Sequence, residues 1–157
     1  MIRACALALL LAGCLDRLGP QVGAEQFSSC VDPNASGDDG DSLLPDTPIS
    51  FERDIRIGIF NRSDVHCVKC HTPGGATPVG LHMGGLDLST YATLMAGGFH
   101  SMGTAIIPGM PCESILIEKI SPAPPFGARM PKDGPPYLSD TDAETIIQWI
   151  AEGARDN

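Results

Sequence analysis

Cys67-Val68-Lys69-Cys70-His71 is a Cys-x-x-Cys-His run, the pattern for covalent attachment of a c-type haem. Two cysteines three apart share one face of a helical turn, so both sulfurs can form thioethers to the vinyl groups of one porphyrin. His71 then falls beneath the ring, where one imidazole nitrogen can ligate iron while the other N–H is left for a carbonyl that fixes the ring's orientation. Zinc is the first rival, but structural zinc wants four nitrogen or sulfur ligands in recognisable spacing, and no second Cys-x-x-Cys or His-x-His group follows. A redox dithiol is the second. It calls for a βαβ setting that the Gly- and Pro-rich flanks do not supply.

The rest of the composition agrees with a small fold built around such a cofactor. The chain has 157 residues and only 5% aromatics, so a buried porphyrin would supply apolar bulk that the side chains lack. A net charge of -9 without clusters of Lys or Arg excludes nucleic acid as a partner.

The N-terminus reads as a processing signal: Arg3 is the positive start, Ala4 to Leu11 an apolar run, and Leu11-Ala12-Gly13-Cys14 the cleavage region. That tetrapeptide resembles the bacterial lipobox, which implies that residues 1–13 are lost as a signal peptide and that Cys14 is lipidated. The apolar run is too short for a membrane span, which needs about 20 residues. Acyl chains on Cys14 would anchor the protein without spanning. The expected location is outside the cytosol, on the periplasmic face of a bacterial membrane or at the cell surface.

Export bears on the remaining thiols. With Cys5 in the leader, Cys14 lipidated and Cys67 and Cys70 on haem, Cys30 and Cys112 remain in an oxidising compartment. A Cys30–Cys112 disulfide pinning the tether to the domain is one reading; two separate thiols are the other.

Residues 14–49 form an acidic, flexible tether, broken by Pro33, Pro45 and Pro48 and without helical or strand period. Seven acids stand there against Arg17 alone, so much of the negative charge belongs to the tether rather than to residues 50–157. Asp32, Asn34, Ser36 and Gly37 are spaced like the start of a calcium loop, but its twelfth position is Leu43 and no flanking helices are evident. A solvated linker is the expectation.

Residues 50–157 read as one domain. Ser50 can cap a helix with Phe51, Ile55 and Ile59 on one face, although Ile55, Ile57 and Ile59 also alternate as in a strand. Residues 72–85 are expected to loop around the haem edge. Tyr91 to Ala96 makes a short helix after Ser89 or Thr90, and Pro111 opens another carrying Ile115, Leu116 and Ile120. The six prolines between Ser121 and Leu138 predict a rigid strap. Ser139 and Asp142 then cap a final helix whose apolar stripe is Ala143, Ile146, Ile147, Ile150 and Ala151, with Trp149 beside it as an anchor against the first helix.

Met130, in Arg129-Met130-Pro131 of the strap, is the candidate sixth ligand. A thioether is soft and neutral and raises the reduction potential relative to a second imidazole. Its competitors are Met83, Met95, Met102 and Met110 and, for bis-histidine ligation, His82 and His100. Arg129 and Lys132 flank Met130 and read as solvated charges, with haem propionates or a partner as the alternative.

Phe51 to Ile59, Cys67 to His71, Gly84-Gly85-Leu86-Asp87-Leu88, Pro108-Gly109 with Ser114, Met130-Pro131, and Leu138-Ser139-Asp140 through Trp149-Ile150 to Glu152-Gly153-Ala154 recur in a family order. Together they resemble the single-haem, planctomycete-type cytochrome c domain found in exported bacterial proteins, over nearly all of residues 50–157. The resemblance implies an all-α, class I-like cytochrome c fold around one covalent haem c, axial ligands His71 and Met130, and helix rather than strand at Ile55 to Ile59. Ile57 stands near a position where such domains often have proline, Lys132 where a second proline often follows Met-Pro, and Cys112 where an acidic or small residue is common. The function implied is single-electron transfer between redox protein partners in the cell envelope, without acid–base or nucleophilic chemistry from the protein. A peroxidase-like haem enzyme with an open distal position and a non-catalytic haem sensor or docking subunit are the alternatives; oligomeric state is open.

Overall fold

A computed structural model describes Cys30 and residues 47–157 apart from Met102. The expected signal peptide, the expected lipidation site Cys14 and the expected tether, other than Cys30 and residues 47–49, therefore lie outside the described residues. Within them the fold is helical, with no strand. No described helix is long and apolar enough to cross a membrane.

The first helix, Phe51–Phe60, is capped by Ser50, whose hydroxyl accepts from the Arg53 amide. Its burial answers the helix-or-strand question: Ile55 and Ile59 are buried while Ile57 is 53% exposed, whereas a strand would put all three on one face. The winding is wider than expected. It is a π-helix, seen in the Asn61 amide donating to the Arg56 carbonyl at 2.9 Å. This brings both Ile59 and Phe60 into the core.

Five α-helices follow: α1 Cys67–His71, α2 Val79–Gly84, α3 Tyr91–Ala96, α4 Ile115–Ile120 and α5 Asp140–Ala151. Helix α2 corrects the expectation of a continuous loop over residues 72–85. Its six residues are too few to show a hydrophobic period between Gly- and Pro-rich flanks, and packing against α1 supports it. The expected helix from Pro111 is split into a 3₁₀ turn, Pro111–Glu113, and α4, because Ser114 is extended and buried. Its hydroxyl accepts from the Ile107 amide and donates to the Met110 carbonyl.

The core forms where α5 crosses the first helix and α4. Trp149 is fully buried, with its ring centroid 5.4 Å from that of Phe51. Tyr91 packs edge-on to Phe51 at 5.4 Å. Both polar tips are satisfied by the chain end: Trp149 Nε1 donates to the Arg155 carbonyl and Tyr91 Oη to that of Ala154. The Ser50 hydroxyl also donates to the Asn157 carbonyl. The entry to the first helix and the exit from α5 are thereby fastened together, and the haem motif is suspended from a rigid pair.

Candidate haem site

Arg62 connects that rigid pair to the motif. Its guanidinium makes two hydrogen bonds to Asp142, at 2.7 and 3.0 Å, and two to Asp64, at 3.0 and 2.9 Å. Asp142 lies in the first turn of α5 and also accepts from the Ser139 hydroxyl. The chain from Asn61 to His66 is thus held against the α5 N-terminus. His66 then turns through a left-handed conformation, φ 55°, and α1 begins at Cys67.

Cys67 and Cys70 are unpaired thiols at the two ends of one helical turn, both half-buried. Burial pushes the Cys67 thiol up to about 11, so it stays protonated at neutral pH. His71 is the last residue of α1. Its Nδ1 lies 3.1 Å from the Leu86 carbonyl, which can only accept. In the neutral ring the proton therefore sits on Nδ1, which leaves the lone pair on Nε2. The His71 carbonyl accepts from the Leu88 amide at 2.8 Å, so residues 86–88 grip this histidine by side chain and backbone together.

Two glycines make close approaches possible around α1. A Cβ on Gly75 would lie 2.3 Å from the Lys69 carbonyl, and one on Gly80 would lie 2.6 Å from His71 Nε2. At Gly80 the same Cβ would be 2.7 Å from Cε1 and 2.9 Å from Cδ2. Three nearly equal distances place it over the face of the imidazole. An atom in the ring plane beyond Nε2 would be much farther from the two carbons. Gly80 therefore packs on the flat of the ring and leaves the in-plane lone-pair direction to a ligand.

The strap carrying Met130 is tied to α4. The Met130 amide donates to the Lys119 carbonyl at 2.8 Å, Arg129 Nε donates to the Ile120 carbonyl at 3.0 Å, and Met130 packs partly buried against the core. Arg129 also stacks on the Tyr137 ring, 4.2 Å from its centroid. Its expected role as a solvated charge is thus corrected: a cation flanked by a backbone carbonyl and an aromatic face helps fold the strap. Lys132 is exposed. On the other side of Met130, Asp133 Oδ2 lies 3.2 Å from Lys69 Nζ and 3.7 Å from His66 Nδ1.

Among the competing ligands, Met83 is 74% and Met110 45% exposed, and Met95 packs against the core. His82, in α2, and His100, in a turn, are exposed, and Met102 lies outside the described residues. Cys30 and Cys112 are joined by a disulfide, with Cα atoms 5.1 Å apart. Among the described residues no group of three or more His, Cys, Asp or Glu side chains is placed to hold a metal ion. Sequence reading missed Arg62, Gly80, Lys119 and Asp133. Gly80 alone left a trace, as one of five glycines in residues 72–85.

These features fit a covalently held haem. Two unpaired thiols share a turn, an imidazole is committed through Nδ1 to a carbonyl, and a glycine cradle that any Cβ would fill lies against its face. When bound, such a group supplies one-electron Fe(III)/Fe(II) chemistry. An all-α domain with this arrangement belongs to the c-type cytochrome class. Residues 67–134 match the family model described as Planctomycete cytochrome C, a span that includes Cys67, Cys70, His71 and Met130. Residues 67–134 thus carry a planctomycete-type cytochrome c domain, which supports a haem-based redox or electron-transfer role in general. No curated protein and no solved structure matches the chain.

Proposed function

We propose that this protein is an envelope carrier of single electrons, with one covalent haem c ligated by His71 and Met130 and a lipid anchor at Cys14. The observation that carries the reading is the fastening of the strap on both sides of Met130: Lys119 and Ile120 of α4 before it, Lys69 of α1 after it. A strap held this way favours a fixed sixth ligand, which suits electron transfer. A peroxidase-like enzyme needs an exchangeable distal position instead. The thioether keeps the potential above that of a bis-histidine site. Leu11-Ala12-Gly13-Cys14 supports the anchor, which would confine the carrier to the neighbourhood of redox partners at the membrane.

The deciding experiment is the optical spectrum of the oxidised holoprotein beside that of Met130→Ala. The weak far-red charge-transfer band of methionine bound to ferric haem is expected in the parent and absent from the variant. No band in the parent, together with ready cyanide binding, would mean an open iron and turn the reading toward an enzyme or sensor.

A further inference from the structure

Lys119 occupies a setting that an ordinary surface lysine does not. Its ammonium donates to the carbonyls of Phe126, at 2.9 Å, and Ala128, at 2.5 Å, and lies 5.2 Å from the centroid of the Phe126 ring. Gly127, at φ 63°, forms the floor between the two carbonyls, and a Cβ there would be 3.2 Å from Nζ. Among the described residues no carboxylate pairs with this ammonium. Three acceptors of modest strength, two dipoles and one aromatic face, replace the usual ion pair. The same residue reaches the strap a second way, since its own carbonyl accepts from the Met130 amide at 2.8 Å. Side chain and backbone of one residue thus hold positions 126, 128 and 130.

We propose that Lys119 is a positioning residue for Met130: by capturing the 126–128 turn with its ammonium and the Met130 amide with its carbonyl, it sets the register in which the methionine is presented. This rests on Met130 being the sixth ligand. Helix α4 supplies the rigidity, because Ile117 and Ile120 on its other face are buried in the core. A neutral side chain at position 119 removes the donor that the exposed Phe126 and Ala128 carbonyls share; water takes its place, and the turn loses its side-chain tie to α4. The methionine then spends more time away from its position, although its own side chain is untouched.

The test compares ferric holoprotein with Lys119→Met and Lys119→Arg, reading the far-red band, the cyanide association rate and far-ultraviolet circular dichroism. K119M is expected to keep its helical signal, weaken the band and bind cyanide roughly five- to tenfold faster. K119R keeps the charge, but its planar fork does not fit the small bowl over Gly127, so roughly a two- to threefold acceleration is expected. A parental band and cyanide rate in K119M overturn the proposal, also where its melting temperature falls, since that is a structural role only. If K119M does not accumulate as holoprotein, a parental cyanide rate in K119R overturns it instead. Absence of the band in the parent itself removes Met130 ligation and this proposal together, which separates that failure from one confined to Lys119.

Discussion

Lys69, inside the Cys-x-x-Cys-His run, is paired with Asp133, three residues past Met130, with Nζ and Oδ2 3.2 Å apart. One ion pair therefore bridges the helix that carries His71 and the strap that carries the proposed opposite ligand. Both partners are well exposed, at 38% and 46% of their side chains, so the pair contributes orientation more than stability.

That pair has a pH dependence whose sign is determined. The Lys69 hydrogen bond, its largest cause, holds the Asp133 carboxyl below the usual carboxylate range. A depressed carboxylate stabilises the fold above its unfolded pKa, about 3.9, and the contribution disappears as pH falls through the folded value. Acid titration of the far-red band should therefore show a transition below about pH 4 that is displaced in Asp133→Asn. An identical titration in the variant would mean that the pair does not couple strap to helix.

Gly80→Val tests the approach of α2 to His71. Its Cβ has no room over the imidazole face, so either α2 or the ring must move, at about 1–3 kcal/mol. The expected outcome is a lower melting temperature and a lower yield of holoprotein, measured as haem bound per chain. Gly84→Val, where a Cβ meets nothing within 4 Å, should do less on both counts.

Arg62→Met removes the link between the approach to the motif and α5. Asp142 is only 13% exposed at its side chain, and it loses two hydrogen bonds in the variant. A loss of about 1–3 kcal/mol in denaturant unfolding is expected. A change below about 0.5 kcal/mol would show that Asp142 finds water readily in the variant.

The disulfide makes a covalent prediction. Cys30 and Cys112 are 82 residues apart, so Cys30→Ser should lower stability by about 2–4 kcal/mol through the freed unfolded chain. In the parent, alkylation without reductant followed by peptide mass analysis should leave both residues unlabelled and their peptides linked. Labelling of both would rule the bond out.

Trp149→Ala should be the most damaging single change considered, at about 3–5 kcal/mol. The indole is fully buried against Phe51 and its N–H holds the Arg155 carbonyl. Chemical denaturation of the holoprotein measures it.

What could be read from the chain alone is what local covalent pattern encodes. The spacing of Cys67, Cys70 and His71 is a property of one helical turn, and the stripe through Ala143, Ile146, Ile147 and Ile150 is a property of one helix. Both are therefore visible in a short window. Ser50, Thr90 and Ser139 cap the first helix, α3 and α5 for equally local reasons. The ambiguity at Ile55, Ile57 and Ile59 was of another kind, because three alternating β-branched residues satisfy two periods at once. Only the neighbours that cover Ile55 and Ile59 but not Ile57 resolve it.

Tertiary structure alone decided the surroundings of the proposed ligands. No window of sequence connects Gly80 to the His71 ring, Leu86 to Nδ1, Lys119 to the turn at Gly127, or Asp133 to Lys69. Each is a contact between segments that follow different local rules, and several use a backbone carbonyl or a missing Cβ, groups that amino-acid identity barely signals. Helix α2 was hidden for the same reason: six residues form a stable turn only against something, and α1 is that partner. The covalent motif indicates which cofactor suits the chain, while the packing of loops around it determines how the proposed ligands His71 and Met130 are placed.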